Sequence, residues 1–422
     1  MDQFKRRDFL KLAGATTALS LASCVGMGGS KRRVVVIGAG FGGATAAHYI
    51  RMWEPGIEVV MIERETRFTS CPMSNLVIGG HRRIDETQRG YDGLRRLGVQ
   101  VVNDEAVSVD AGKRIVKLAR GGDLSYDRLI VSPGIDFMYD QIGGYAAAMG
   151  ASRVVHAWKA GAQTLELRAQ LERMLDGGVY LIAIPTAPYR CPPGPYERIS
   201  QVASYLKVAK PRSKILALDA NQDVTSKGPL FKKAWADLYP GMIEYRGQSR
   251  VVAVDGAAMS VRTEFDTVKG DVLNVIPPHR AGEIAVKADL ITHNDRWCDV
   301  DWRSCESKAV KNVHVLGDAT LSAPGMPKSG HMANQQAKVC AAAIIALMNG
   351  QAPNPGPVVT NTCYSYVSGG EVIHVASVHQ WDGGQNTLIP VKGAGGVSPA
   401  RNELEGKFAW AWAQNIWADM FG

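Results

Sequence analysis

Long hydrophobic runs are missing from most of this chain. After the first 30 residues no stretch approaches the roughly 18 uninterrupted apolar residues that a membrane-spanning helix needs, which excludes an integral membrane protein and any transmembrane segment in the mature chain. None of the seven cysteines stands in a CxxC or CxxCH pattern, so neither a zinc ribbon nor covalent haem is encoded, and no metal site is expected. No Lys/Arg run with interleaved aromatics occurs, and nucleic acid is excluded as a partner. No repeat at solenoid or propeller spacing is present.

What remains is an ordinary globular balance. The 422 residues are 46% hydrophobic and 21% charged, with Gly 45 and Pro 20, enough for two or three domains at roughly 150 residues each. The formal charge is +8, of which the first 30 residues hold +2, because Lys5, Arg6, Arg7 and Lys11 face Asp2 and Asp8. The excess suits an acidic partner or an anionic small substrate.

Those first residues, Lys5-Arg6-Arg7-Asp8-Phe9-Leu10-Lys11 followed by the apolar stretch Leu12 to Ala22, read as a twin-arginine export signal over 1–30. The expected location is periplasmic. Leu21-Ala22-Ser23-Cys24 resembles a lipobox, which leaves a lipid anchor at Cys24 as an open alternative.

The next stretch carries the first chemistry. Val34-Val35-Val36-Ile37 has a buried-strand pattern, Gly38-Ala39-Gly40-Phe41-Gly42-Gly43 follows at once, and Ala44 to Met52 has helical spacing. A second strand, Glu58 to Ile62, ends at Glu63. Together they form a βαβ unit with the dinucleotide fingerprint: Gly38, Gly40 and Gly43 let backbone approach a pyrophosphate, and Glu63 stands where a ribose hydroxyl needs an acceptor. Two later segments favour FAD over NAD. Tyr126 to Gly134 is a strand ending in a small-residue turn at Gly134, and Asn312 to Ala319 is a strand ending in Gly317-Asp318. Both resemble secondary motifs of flavoproteins with two dinucleotide domains, where the Gly-Asp acid takes the ribityl chain.

A second βαβ unit is expected from Val179-Tyr180-Leu181-Ile182-Ala183-Ile184, but its phosphate loop is missing. Pro185, Pro188, Pro192, Pro193 and Pro195 cannot donate N–H groups to a pyrophosphate, so the nicotinamide site is expected to be lost and NAD(P)H not to be a partner. Of the cysteines, Cys340 fits a buried small hydrophobe in a helix, while Cys298 and Cys305 are spaced for a local disulfide or for none. Cys71, Cys191 and Cys363 are three scattered structural thiols or a site. Cys71 lies where such folds pass the flavin ring, Cys191 where a nicotinamide would have been, and Cys363 opens the last segment.

Taken together, the export signal, the GAGFGG loop, the Ser70 to Gly80 segment, the Pro-rich Cys191 loop, Gly317-Asp318 with Gly325 to Gly330, and the Asp419-Met420-Phe421-Gly422 end resemble the flavoprotein subunits of flavocytochrome c sulfide dehydrogenase, related to sulfide:quinone oxidoreductases. The resemblance implies an α/β fold: two Rossmann-like dinucleotide-binding domains, glutathione-reductase-like, plus a smaller C-terminal α+β domain. The expected boundaries are 31–145 and 271–350 for the two parts of the FAD domain, 146–270 for the second Rossmann-like domain and 358–422 for the C-terminal domain. It implies FAD held covalently through Cys71, a redox disulfide between Cys191 and Cys363 with Glu197 as nearby acid, and Val107 and Lys328 as further cofactor contacts. The helix starting near Ser329-Gly330-His331 would point its positive end at the flavin.

Sulfide is the implied substrate and a separate c-type cytochrome subunit the implied acceptor. Cys305 departs from the pattern. Two alternatives stay open: a sulfide:quinone oxidoreductase, although no cysteine lies between Cys71 and Cys191 as those enzymes generally have, and a non-catalytic flavin carrier. The aromatic tail from Phe408 to Phe421 reads as core, as a membrane contact or as a cytochrome interface.

Overall fold

The computed structural model describes residues 32–422; the expected export signal and Cys24 lie outside the described residues. Along the chain come β1 (Arg33–Ile37), α1 (Phe41–Trp53), β2 (Glu58–Ile62), β3 (Gln100–Val102), β4 (Arg128–Val131) and β5 (Val154–Val155). Next are β6 (Val179–Ile184), α2 (Gly194–Ala209), β7 (Lys214–Asp219), α3 (Gly228–Leu238), β8 (Ile243–Arg246) and β9 (Val272–Val275). The last third holds β10 (Val300–Asp301), β11 (Glu306–Ser307), β12 (Val313–Val315), α4 (Gly330–Met348), β13 (Val358–Tyr366), β14 (Val372–Asp382), β15 (Thr387–Val397) and α5 (Glu403–Phe421).

Two sheets set the architecture, which is mixed α/β. The first runs β10-β11-β12-β4-β1-β2-β3, with parallel pairing from β12 to β3. The valines and isoleucines of β1 and β2 are buried in an almost continuous run, as a strand covered on both faces requires. The second sheet, β5-β9-β6-β7-β8, is parallel throughout. Here the structure corrects a boundary: β9 pairs with β6 from Tyr180↔Val272 to Ala183↔Val275, so the second sheet runs past residue 270. A one-strand return after a three-stranded antiparallel sheet over Val251 to Lys269 carries no composition change that a sequence would show.

The third sheet, β13-β14-β15, is antiparallel. Helix α5 follows it and packs on α1, with Trp417, Met420 and Phe421 buried. Asp419 fastens the end of α5 by accepting from Tyr49 Oη (2.5 Å) and Asn334 Nδ2 (2.7 Å) and pairing with Lys338 (2.9 Å). Much of the aromatic tail is therefore core, although Phe408 and Leu404 remain about half exposed. No helix among the described residues is long and apolar enough to cross a membrane.

Candidate active site

One cavity of about 380 Å³ collects residues from the first and third sheets and from the segment of Arg190 to Glu197 that follows β6. At one end β1 gives way to the glycine loop. Gly38 takes φ +92, and a Cβ there would lie 2.4 Å from the Ser132 carbonyl oxygen, so only glycine fits. A Cβ on Gly40, by contrast, would meet nothing within 4 Å although Gly40 lines the cavity: that space is where a ligand's phosphates would approach. Gly43 does not line the cavity. Its added Cβ would fall 1.8 Å from Gly38 O, so its work is the close packing of α1 on the loop. Glu63 ends β2 at the cavity and accepts the Ala39 N–H at 2.8 Å, which ties the acid to the glycine loop.

The middle of the cavity holds two buried polar atoms with no protein partner, Asp318 Oδ1 and Arg190 Nη2. Buried polar groups are seldom left unpaired, and an acceptor and a donor turned toward one cavity suit a polar ligand. Burial raises the Asp318 pKa, with Arg190 and Lys328 pulling it back. Gly134, at φ +65 with no atom near its missing Cβ, lines the same wall. These features fit the ribityl diphosphate of a flavin dinucleotide.

Two expected cofactor contacts are corrected. Val107 is not among the cavity residues, whereas its neighbours Glu105 and Ala106 are, because the strand slips register at this point and turns Val107 aside. Lys328 also points away: its ammonium donates to the carbonyls of Asp318 (3.0 Å) and Thr320 and lies 3.7 Å over the Trp297 ring. Burial brings its pKa down to about 7, and it stands behind the Gly317-Asp318 turn as a support.

Cys71, Cys191, Glu197 and Cys363 all line the cavity. Cys71 follows a short strand and precedes a turn of helix; its Sγ lies 3.7 Å from the Trp158 carbonyl oxygen. Trp158 also donates Nε1–H to Arg190 O at 3.2 Å, so one residue braces both the Cys71 and the Cys191 segments. Cys191 sits at φ +58 and its N–H reaches Lys328 O at 2.8 Å. Cys363 is on β13. All three are partly exposed free thiols in this structure.

Glu197, one turn into α2, is 8% exposed. Burial raises its pKa; the Tyr366 N–H (2.8 Å to Oε1), the Asn75 amide (2.8 Å to Oε2), Lys227 and Arg198 pull the other way. Arg198 beside it is fully enclosed, bonded to Asn75 Oδ1, Asn274 Oδ1 and the carbonyls of His156 and Ala157. Its guanidinium lies 4.7 Å from the Trp158 ring centre.

The remaining cysteines are elsewhere. Cys298 and Cys305 are free and belong to different core clusters, so they do not form the local disulfide that their spacing allowed. Cys305 instead packs near Cys340, its Sγ 3.8 Å from Gln336 O one turn earlier on α4. The sequence reading missed Arg190, Arg198, Lys227 and Asn361. Asn361, Arg190 and Arg198 had a signal, standing within two residues of Cys363, Cys191 and Glu197; Lys227 had none beyond its type.

Asp219 closes β7, where a ribose-binding acid would stand, but it is fully buried and its Oδ2 accepts from Tyr196 Oη and Tyr245 Oη, both at 2.8 Å.

Comparison with known proteins follows this geometry. Residues 164–277 match the family described as sulfide dehydrogenase [flavocytochrome c] flavoprotein chain, central. Residues 355–421 match flavocytochrome c sulphide dehydrogenase, flavin-binding, and 32–171 match pyridine nucleotide-disulphide oxidoreductase. The mitochondrial sulfide:quinone oxidoreductase of Dictyostelium discoideum is 23% identical over 300 residues, 68% of this chain; the chain spans only 65% of that relative's length. The sulfide dehydrogenase [flavocytochrome c] flavoprotein chain of Chlorobaculum thiosulfatiphilum is 52% identical over 46 residues, 11% of this chain and 96% of that one. In structure, the sulfide:quinone oxidoreductase of Aquifex aeolicus superposes with a TM-score of 0.76 at 18% identity, covering 92% of this chain and 91% of the other, a likeness of fold. The matched segments thus make the chain a flavoprotein of the flavocytochrome c sulfide dehydrogenase and sulfide:quinone oxidoreductase type.

Proposed function

We propose that the protein is a sulfide dehydrogenase: hydrosulfide is oxidised at a Cys191–Cys363 disulfide, the electrons pass to FAD bound covalently through Cys71, and a separate c-type cytochrome subunit takes them. The observation that carries this reading is the convergence of three cysteines and a buried acid on the one cavity that the glycine loop opens.

Bound FAD would supply two-electron acceptance and one-electron release, which the side chains cannot. The chain's own residues do the rest. Gly40 would leave room for the pyrophosphate while Gly38 makes the turn beneath it, Glu63 would receive a ribose hydroxyl, Asp318 would hold the ribityl chain, and Cys71 would anchor the ring. A disulfide at Cys191 and Cys363 offers hydrosulfide an electrophilic sulfur, and a thiolate leaves as the new bond forms. Glu197, with its pKa raised by burial, is placed to hold the proton of an incoming sulfide. Export through a twin-arginine signal to the periplasm belongs to the same reading. A quinone acceptor is the second reading, favoured by the mitochondrial relative and the Aquifex aeolicus structure, both named for quinone.

The test is an absorption spectrum of the purified protein, with its copurifying partner, during anaerobic addition of sulfide. Flavin bleaching followed by haem reduction supports the dehydrogenase; bleaching with reoxidation only by quinone supports the second reading; an unbleached flavin overturns both. Cys191→Ser and Cys363→Ser should each abolish bleaching while flavin stays bound, whereas Cys298→Ser, Cys305→Ser and Cys340→Ser should not.

A further inference from the structure

The two cavity cysteines of the disulfide reading stand in opposite surroundings. Asn361, on β13 two residues before Cys363 and 2% exposed, directs its amide Nδ2 to the Cys363 Sγ at 3.3 Å. That orientation is fixed from the far side. Asn361 Oδ1 accepts the Ser329 hydroxyl at 2.5 Å, and Ser329 Oγ accepts the Met332 N–H at 3.0 Å as the N-cap of α4. Behind the same cysteine, Lys227 donates all three ammonium hydrogens inside the protein, to Cys363 O (2.9 Å), Ser365 Oγ (2.8 Å) and Ile373 O (3.3 Å). Lys227 is 8% exposed, and burial brings its pKa down to about 8, with Cys363 most, then Glu197 and Cys191, holding it up. Burial raises the Cys363 thiol as well, but Lys227 at its back and the Asn361 donor at its sulfur pull it down again, which favours Cys363 as the thiolate of the pair.

Cys191 has neither. It precedes α2, and a helix N-terminus ordinarily stabilises an anionic sulfur through free N–H groups. Here Pro192, Pro193 and Pro195 have no N–H, and the Gly194 N–H is spent on Cys191's own carbonyl at 2.8 Å. The charged group in the first turn is an acid, Glu197.

We propose that Lys227 and Asn361 make Cys363 the leaving thiolate of the disulfide, so that hydrosulfide is captured on Cys191. The inference rests on the sulfide reading above. In the step, the hydrosulfide sulfur supplies the electron pair of a new bond to Cys191 Sγ, the Cys191–Cys363 bond breaks, and its pair leaves on Cys363 as thiolate. The proton stays on the new terminal sulfur, so a hydrosulfide anion and a disulfide become a persulfide and a thiolate, with charge unchanged. Of two possible leaving thiolates the better stabilised one leaves faster. Asn361 touches the reacting sulfur; Lys227 acts through the Cys363 backbone and its charge, and is a positioning residue.

The experiment mixes oxidised holoprotein with one equivalent of sodium hydrosulfide, traps thiols and persulfides with an alkylating agent, and reads the peptides by mass spectrometry. The extra sulfur is expected on the Cys191 peptide in about tenfold excess, the ratio that one unit of difference in thiol acidity gives. Extra sulfur chiefly on Cys363 overturns the proposal. Lys227→Met should shrink that excess severalfold and Lys227→Arg should restore it; an unchanged excess in Lys227→Met, with flavin content and unfolding midpoint as in the wild type, removes Lys227 from the argument.

Should Lys227→Met not fold, the wild-type protein decides by alkylation of its dithiol form near neutral pH. Cys363 should react about tenfold faster than Cys191, and equal rates overturn the proposal. Should sulfide leave the flavin oxidised and no extra sulfur on either peptide, the sulfide reading fails, and the alkylation rates still decide the asymmetry.

Discussion

Glu197 Oε1 accepts the backbone N–H of Tyr366 at 2.8 Å, and so joins the helix that follows one cavity cysteine to the strand that carries the other. With Oε2 held by Asn75, the carboxylate is a clamp as well as a candidate proton acceptor. In Glu197→Gln one of these two buried donors must face an amide NH₂. The variant should lose about 1–3 kcal/mol of unfolding free energy in denaturant titration, and its sulfide-dependent flavin reduction should slow with a shifted pH profile. Unchanged stability would show that the clamp contributes nothing.

Gly40→Ala and Gly43→Ala should separate cofactor capture from folding. The first puts a methyl into open cavity space, so the chain should fold with near-normal stability and hold little flavin. The second drives a Cβ to 1.8 Å from Gly38 O and should unfold far more easily, by more than about 2 kcal/mol. Thermal unfolding beside flavin content per chain tells them apart.

Asp318→Asn should stabilise the flavin-free protein while weakening flavin retention, measured in a Cys71→Ser background stripped of flavin. Burial raises the folded pKa of Asp318 above its unfolded value. Its contribution to stability is therefore fullest below the unfolded pKa and is lost as pH rises through the folded pKa. At neutral pH the asparagine variant should be the more stable by on the order of 1 kcal/mol, and the two unfolding curves should converge as the medium is acidified.

FAD should stay on the polypeptide after acid precipitation, because a thioether survives unfolding and pyrophosphate contacts do not. Cys71→Ser should release it into the supernatant. Flavin freed from the wild-type protein would refute attachment at Cys71.

NADH should neither bleach the flavin nor slow its reduction by sulfide. The acid that a nicotinamide dinucleotide would use, Asp219, is taken by Tyr196 and Tyr245, and the loop before α2 is short of N–H donors. Stopped-flow mixing with NADH checks this.

Local patterns were readable wherever one contiguous segment carries the chemistry. The strand, glycine loop and helix of the first βαβ unit and the Gly317-Asp318 turn are of that kind, and each has residues at the cavity. Long-range partners were not readable. Lys227 stands in Ser226-Lys227-Gly228, a sequence that reads as an exposed turn, and it is buried only because β13 and β14 cover it. Lys328 had the right type and the right neighbours, but its chain folds back onto Trp297. Cys298 and Cys305 were close in sequence, yet a short hairpin places them in separate clusters.

The docking of α5 bears on when this protein can first work. Cys363 is carried on a late strand, and the helix after it is fastened by Asp419, three residues from the chain's end, to Tyr49, near its start. During synthesis the glycine loop and Cys191 emerge long before their partner thiol, and the seam that seats α5 closes only with the final turn. A chain cut before α5 should accordingly be silent toward sulfide even where its first sheet has formed, because the strand that carries Cys363 would lack the helix that is fastened to Tyr49.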